Sequence, residues 1–323
     1  MGMCNKTRCG VIVLLFLVSG CIHVDLFPGG GKLKETLLSG EGKDKVLLID
    51  ISGMLTTSKS SGIFDEPSLP ARIKEELTKA EKDDHVKAVV LRINTPGGTV
   101  TASDLVYHEL KAFKKEREMP VIAAIMDLGT SGGYYVAMAA DHILVHPSTI
   151  TGSIGVIMVT MNAQGLLEKV GVNPAAIVSG PKKSMGSPFR PMSDEERAIF
   201  QGVIDHLYER FLAVVEEGRP GLSKENIRTL ADGRIYTADI AKAQGLVDDI
   251  GYLDEAIDLA KKEAKLEEAQ VVTYTRGRVS HSNIYSRFDP PQIGPIGFPE
   301  VDTNSLFSVL SGGTPQMLYM WMP

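Results

Sequence analysis

The chain has 323 residues, 43% hydrophobic and 23% charged, enough apolar material for one large or two small domains with a sizeable core. Its formal charge is −6 and its basic residues are not clustered, which argues against nucleic-acid binding, where a basic face is needed. All three cysteines (Cys4, Cys9 and Cys21) precede residue 22, which excludes a disulfide framework, a Cys-ligated zinc site and a Cys nucleophile in the body of the protein.

Residues 1–10 carry Lys6 and Arg8 without an acid, residues 11–18 form a short apolar run, and Ser19-Gly20-Cys21 follows. A charged segment, an apolar segment and a small-residue cleavage site in that order read as a secretory signal peptide over residues 1–20. An uncleaved signal-anchor is the competing reading, but the run falls short of the about 20 apolar residues that cross a bilayer. Val18-Ser19-Gly20-Cys21 resembles a bacterial lipobox, in which Cys21 is acylated and becomes the first residue of a membrane-tethered envelope protein outside the cytoplasm. Residues 21–44, with Pro28-Gly29-Gly30-Gly31 among them, are expected to form a flexible tether.

From residue 46 onward strand and helix patterns alternate. Apolar runs at 46–51, 86–93 and 121–126 predict buried strands, with shorter ones at 143–145 and 156–159. Helical periodicity covers 71–82 and 103–115, with Thr99 and Thr101 as candidate caps, and an Ala-rich stretch at 134–140 reads as a short helix. Ser193, followed by Asp194, Glu195 and Glu196, marks the start of a helix expected to run to residue 217. Such alternation means a mostly parallel sheet with crossover helices. The tail from Arg276 is rich in proline and ends in the apolar segment 317–323. It is expected to stay extended until it meets a partner, with subunit contact preferred over membrane contact or groove occupancy.

Three glycine-rich turns follow strands: Asn94-Thr95-Pro96-Gly97-Gly98, Gly129-Thr130-Ser131-Gly132-Gly133 and Thr151-Gly152-Ser153-Ile154-Gly155. Neither a GxGxxG fingerprint nor a phosphate-loop lysine accompanies them, which argues against nucleotide binding. His142 and His146 share a strand face without an evident third ligand, so no metal is expected. Ser131 stands between a strand and a helix N-terminus, where its hydroxyl is presented and the helix dipole faces a developing anion. Gly132 leaves room for a substrate carbonyl, and the N–H of Gly132 with that of Gly97 or Gly98 would make an oxyanion hole. The competing reading is that Ser131 only caps the helix. None of the seven histidines stands out as its base. Lys182 and Lys183 lie in a loop rich in Gly, Pro and Ser, and a desolvated lysine is an alternative base, although a solvated surface charge is the ordinary reading.

These turns, together with Ser131-Gly132-Gly133-Tyr134-Tyr135, Lys183 before Ser187-Pro188-Phe189-Arg190-Pro191-Met192, and Gly233-Arg234-Ile235-Tyr236-Thr237 with Gly245-Leu246-Val247-Asp248, resemble in order the signal peptide peptidase A family of serine proteases, half-length type. The resemblance covers residues 45–265 and implies a crotonase-like (Clp-protease-like) α/β fold with repeated β-β-α units and a mostly parallel sheet, the peptidase domain spanning 45–275. It implies Ser131 as nucleophile, Lys183 as general base, Ser153 as the residue that orients the lysine, and Gly98 and Gly132 as oxyanion donors. It also implies a cofactor-free Ser/Lys mechanism, peptide substrates such as cleaved signal peptides, and a homo-oligomer whose dyad forms across subunits. Thr95 stands where the family usually has Ser, and Ala238 where it commonly has Gly. A lysine is a base only when neutral, so activity is expected to rise with pH through an apparent pKa below the ~10.4 of free lysine. A crotonase-type acyl-CoA enzyme and a non-catalytic peptide-binding lipoprotein are the competing functions.

Overall fold

The runs at 46–51, 86–93 and 121–126 lack the polar alternation of a half-wet strand, so they need apolar cover on both faces. The computed structural model, which describes residues 33–58, 60–61, 65–276, 283–286 and 317–322, supplies that cover. The strands are β1 (Lys34–Ser39), β2 (Lys45–Ser52), the short pair β3 (Ser60–Ser61) and β4 (Asp65–Glu66), β5 (Val86–Thr95), β6 (Gly97–Thr99) and β7 (Val121–Thr130). They continue with β8 (His142–Val145), β9 (Ile150–Gly152), β10 (Ile157–Met158), β11 (Ile235–Thr237), β12 (Asp249–Ile250), β13 (Gln270–Thr275) and β14 (Met317–Met320). The helices are α1 (Leu69–Glu81), α2 (Val100–Arg117), α3 (Gly132–Ala137), α4 (Gln164–Lys169), α5 (Asp194–Gly218), α6 (Lys224–Leu230), α7 (Ala238–Ala243) and α8 (Leu253–Glu263).

The main sheet has the order β1-β13-β2-β5-β7-β8-β12, with β9 also paired to β7 and β11 to β9. Its central pairings are parallel, and β1 and β11 join antiparallel. Successive side chains alternate between two cores. Leu47, Ile49, Ile51, Leu91, Ile93 and Ile125 face one core, packed with residues from α1, α2, α3 and α5. Val46, Leu48, Val90, Ile122 and Ala124 face the other, covered by Leu253, Ala256, Ile257 and Ala260 of α8. Arg92 continues this second face at 2% exposure. Its guanidinium donates to Asp50 Oδ1 at 2.8 Å and to the carbonyls of Ile284 and Ser286, so a buried charge fastens a late segment to the sheet.

Helix starts follow their sequence signals. Thr99 caps α2 by accepting the Ala102 N–H at 3.2 Å, and Ser193 with Glu196 forms a reciprocal capping box on α5. Two expectations need correction. Residues 34–39, placed in the tether, form β1, because the outer edge of β13 carries N–H and C=O groups that need partners, and Lys34 to Leu37 pair with Thr275 to Val272. Gly40 and Gly42, at φ +81° and +101°, then turn the chain back into β2. The preferred reading of the tail as a subunit contact also gives way: Met317–Met320 lies between β6 and β10 of the same chain. The signal-peptide segment, Cys21 and the first part of the tether fall outside the described residues. Among the described residues no helix is long and apolar enough to cross a membrane.

Arg219 at the end of α5 joins that helix to β8. It meets Asp248 with two bonds of 2.7 and 2.9 Å, and Asp248 also accepts the Ile143 N–H at 2.8 Å. Burial pushes the Asp248 carboxyl up, but the Arg219 guanidinium and the Ile143 N–H outweigh it and hold the group below its ordinary value. Arg219→Ala is expected to lower stability by about 2–4 kcal/mol in urea unfolding at neutral pH, because it strands a half-buried carboxylate. A carboxyl held below its unfolded-state pKa stabilises above that value, so the gap from wild type should narrow as pH falls below ~4. A gap that does not change with pH would rule out the pair as its source.

Candidate active site

The turn after β5 is fixed from inside. Asn94 accepts the Leu128 N–H at 3.0 Å through its side chain and the Gly53 N–H at 3.1 Å through its carbonyl. Thr95 donates its hydroxyl to the Gly53 carbonyl and accepts the Gly97 N–H at 3.0 Å, so the threonine holds this turn together. Gly97, at φ +101°, sends the chain into β6. There the Gly97 carbonyl accepts the Leu55 N–H at 2.9 Å and the Thr99 N–H donates to the Leu55 carbonyl at 2.8 Å. One edge of β6 is thereby filled, and strand alternation turns the N–H and carbonyl of Gly98 to the opposite edge, the groove occupied by β14.

Ser131 follows the last residue of β7, at φ 51° and ψ −112° and 1% exposure. This backbone is strained by about 1–3 kcal/mol for a residue with a side chain. Two bonds hold it: the Ser131 N–H donates to Gly152 at 2.7 Å, and its carbonyl accepts the Tyr135 N–H at 2.9 Å. The hydroxyl makes no capping bond, so capping does not account for the serine. Gly132 opens α3, and among the described residues its N–H has no acceptor, as befits the first turn of a helix. A methyl group on Gly132 would lie 2.4 Å from Ser103 Oγ.

Across the β7–β9 pair Thr130 is in register with Gly152, which sets Ser153 beside Ser131. Ser153 has the same φ of 51°, is 8% exposed, and is held by its N–H to the Arg234 carbonyl at 2.7 Å. It lines a groove together with Val156, Ile157, Gly233, Met320 and Trp321. Ser131, Gly132, Gly98 and Ser153 thus converge.

Among the described residues no hydrogen bond links Lys183 to Ser131 or Ser153. The lysine is exposed, its N–H donates to Gly180 at 3.0 Å, and its amine has no partner among the described residues. Neighbouring Lys182 is committed to an ion pair with Glu195. The loop carrying both is pinned by Arg190, which bonds Glu196 at 2.9 Å and the Ser184 carbonyl at 3.1 Å. The Arg190 bond, helped by the Ser193 N–H, holds the Glu196 carboxyl down at about 2, so it stays charged through the physiological range. His142 pairs with Asp249 and His146 with Ser148, which accounts for the two histidines weighed as a metal pair.

The groove wall was not visible in the sequence. Tyr135, Phe211 and Tyr319 pack their rings within 5.1 Å of one another. Tyr135 donates its phenol to Asp104 at 2.6 Å, and Asp104 also binds Arg210. Burial, followed by the Asp104 carboxylate, pushes the Tyr135 phenol far above its ordinary value and keeps it a donor. Aromatic residues at these positions carry no periodic signal that separates a groove from a core. Gly98→Ala tests the geometry: its methyl would lie 2.0 Å from the Leu55 carbonyl, so β6 must shift. Peptidase turnover is expected to fall by about 10²-fold or more with a change in KM far smaller, as for loss of one oxyanion donor. Unchanged turnover would remove Gly98 from the site.

The Peptidase family S49 model matches residues 113–267, and the Clp protease model matches residues 63–150. An Enterococcus faecium protein described as a signal peptide peptidase SppA is 38% identical over 251 residues, 77% of this chain and 72% of that one. A Methanocaldococcus jannaschii protein described as a protease is 36% identical over 266 residues, covering 82% and 81% of the two chains. Among solved structures, a ClpP1 mutant from Listeria monocytogenes aligns with TM-score 0.43 and 19% identity over 65% of this chain and 94% of that one. The mostly parallel α/β sheet and the Clp protease match give a Clp-protease-like fold. The chain belongs to peptidase family S49, the signal peptide peptidase A family, and is a serine-type peptidase.

Proposed function

We propose that this chain is a membrane-tethered Ser/Lys endopeptidase of the bacterial envelope that degrades apolar peptides, remnant signal peptides among them. The observation that carries the reading is the buried, strained Ser131, its hydroxyl free of any cap, between the backbone donors of Gly98 and Gly132 on a groove that accepts an extended strand. Ser131 Oγ attacks the peptide carbonyl while the neutral Lys183 amine takes its proton, and the oxyanion rests on the Gly98 and Gly132 N–H groups. The lysine returns the proton to the departing amine, and water activated by the same lysine hydrolyses the acyl-enzyme. Ser153, beside Ser131, orients the amine.

Because Lys183 is exposed and shares no hydrogen bond with Ser131 among the described residues, the dyad is assigned to two copies in a homo-oligomer. In support, the segment leading to Lys183 exposes Val159, Met161, Leu166, Val170, Val172 and Ile177, an apolar surface that a second copy would cover. Such cover would also supply the desolvation that a lysine base requires. The tether is assigned to a lipid on Cys21.

A fluorophosphonate serine probe should label wild type and Lys182→Ala but not Ser131→Ala, and should label Lys183→Ala far more slowly. Equal labelling of wild type and Ser131→Ala would sink the peptidase assignment of Ser131. Mixing the inactive Ser131→Ala and Lys183→Ala chains before assembly should restore roughly a quarter of wild-type turnover, since random neighbours place an intact serine against an intact lysine at that frequency. A mixture that stays inactive while wild type turns over would place the dyad within one chain.

A further inference from the structure

The loop that carries Lys183 has neither helix nor strand to hold its shape. It is a run of turns: the Lys183 N–H donates to Gly180 at 3.0 Å, that of Met185 to Lys182 at 3.1 Å and that of Ser187 to Ser184 at 3.2 Å, with Gly186 at φ +77°. A lysine on such a loop can place its amine almost anywhere within reach of a flexible four-carbon stem. A proton acceptor needs one place, and a misplacement of about 1 Å can cost about 10²-fold in rate.

The first turn of α5 supplies what the loop lacks. Arg190 sets its planar fork on the Glu196 carboxylate, with bonds of 2.5 and 2.9 Å, and also donates to the Ser184 carbonyl at 3.1 Å and the Ser184 hydroxyl at 3.2 Å. Ser184 follows Lys183 directly, so this bond fixes the residue next to the lysine. Glu196 is itself immobilised: it is 2% exposed, its carboxylate accepts the Ser193 N–H at 3.1 Å, and its own N–H donates to Ser193 Oγ at 3.3 Å. The helix cap and the loop clamp therefore share one carboxylate. Glu195, on the same turn, holds Lys182 in an ion pair, and the Ala163 N–H before α4 ties the far side of the loop through the Pro188 carbonyl at 2.7 Å.

We infer that Arg190 and Glu196 are positioning residues for Lys183: through Ser184 they set the direction in which its amine leaves the loop, while Glu195 keeps Lys182 out of its place. The inference rests on the reading of Lys183 as the base. A lysine at position 190 would keep the charge but lose the fork, and could not serve the carboxylate and Ser184 together. The charged groups at this place are Lys182 and Arg190 on the loop and Asp194, Glu195 and Glu196 on the first turn of α5. Glu196 is held at about 2 and a guanidinium does not lose its proton, so the clamp stays charged wherever a lysine titrates.

The test is made on the full chain with two readouts. Acetic anhydride labelling from pH 7 to 11, read by mass spectrometry at Lys183, gives the titration of its amine without calling on activity. Fluorophosphonate labelling gives the reactivity of Ser131. Arg190→Lys should raise the apparent pKa of Lys183 by about one unit and slow the probe about 10-fold, because an amine that is not seated stays in water and fewer copies are neutral. Glu196→Gln should raise it as well, against the fall that loss of a nearby carboxylate alone would cause. Arg228→Lys breaks a comparable fork, on Glu209 at 2.9 Å, and should leave both readouts as in wild type. A wild-type Lys183 titration in Arg190→Lys would overturn the inference even if Lys183→Ala proves the dyad, and so would equal losses in Arg190→Lys and Arg228→Lys. A raised Lys183 pKa in Arg190→Lys, with Lys183→Ala labelled by the probe as fast as wild type, would uphold the clamp and overturn the base reading instead.

Discussion

The pairing of Thr130 with Gly152 across β7 and β9 is the constraint on which the site depends. It delivers the Gly152 carbonyl to the Ser131 N–H at 2.7 Å and so holds the serine at a positive φ that it would not otherwise keep. The same register fixes where Ser153 emerges. Strain of about 1–3 kcal/mol at each serine is small against a sheet buried on both faces, whose side chains each contribute about 1.5–3 kcal/mol. A sheet with one wet face would hold such a turn less firmly.

Backbone, not side chains, builds the rest of the site. Added methyl groups at Gly97, Gly98 and Gly132 would strike Tyr319, Leu55 and Ser103 respectively, three different elements. Glycine is required at Gly97 and Gly98 because main chains approach each other directly, and at Gly132 to make room for the Ser103 hydroxyl, which leaves N–H groups as the surface that a substrate meets. Leu55 has a central part in this arrangement. By taking one edge of β6 it leaves Gly98 no partner except whatever enters the groove.

Under the proposed reading the site divides into a part made by the sheet and α3 and an outlying arm that carries Lys183. The arm is fastened at its base by Arg190 and Glu196, and its apolar side chains face solvent. Under the proposed reading this division has a chemical use. The nucleophile and its donors are complete in every chain, while the base is neutralised and positioned only when copies assemble. Under that reading the peptidase is silent until its copies assemble.

The sequence by itself determined the fold class and the order of its parts. Unbroken apolar runs could only be central strands, Thr99 and Ser193 carried cap chemistry that acts within one turn, and the glycine turns had to follow strands. Ser131 was ambiguous at that level, since a nucleophile and a helix cap use the same residue in the same place; the torsion angles and the missing capping bond are tertiary facts. The tertiary structure alone decided that residues 34–39 extend the sheet, that Lys183 is exposed, and that Met317–Met320 enters the groove beside β6. The physical reason is common to the first and the last. Local periodicity records which side chains seek burial, but an unfilled strand edge accepts any extended backbone, so the partner it takes from a distant part of the chain is set only when the whole chain packs.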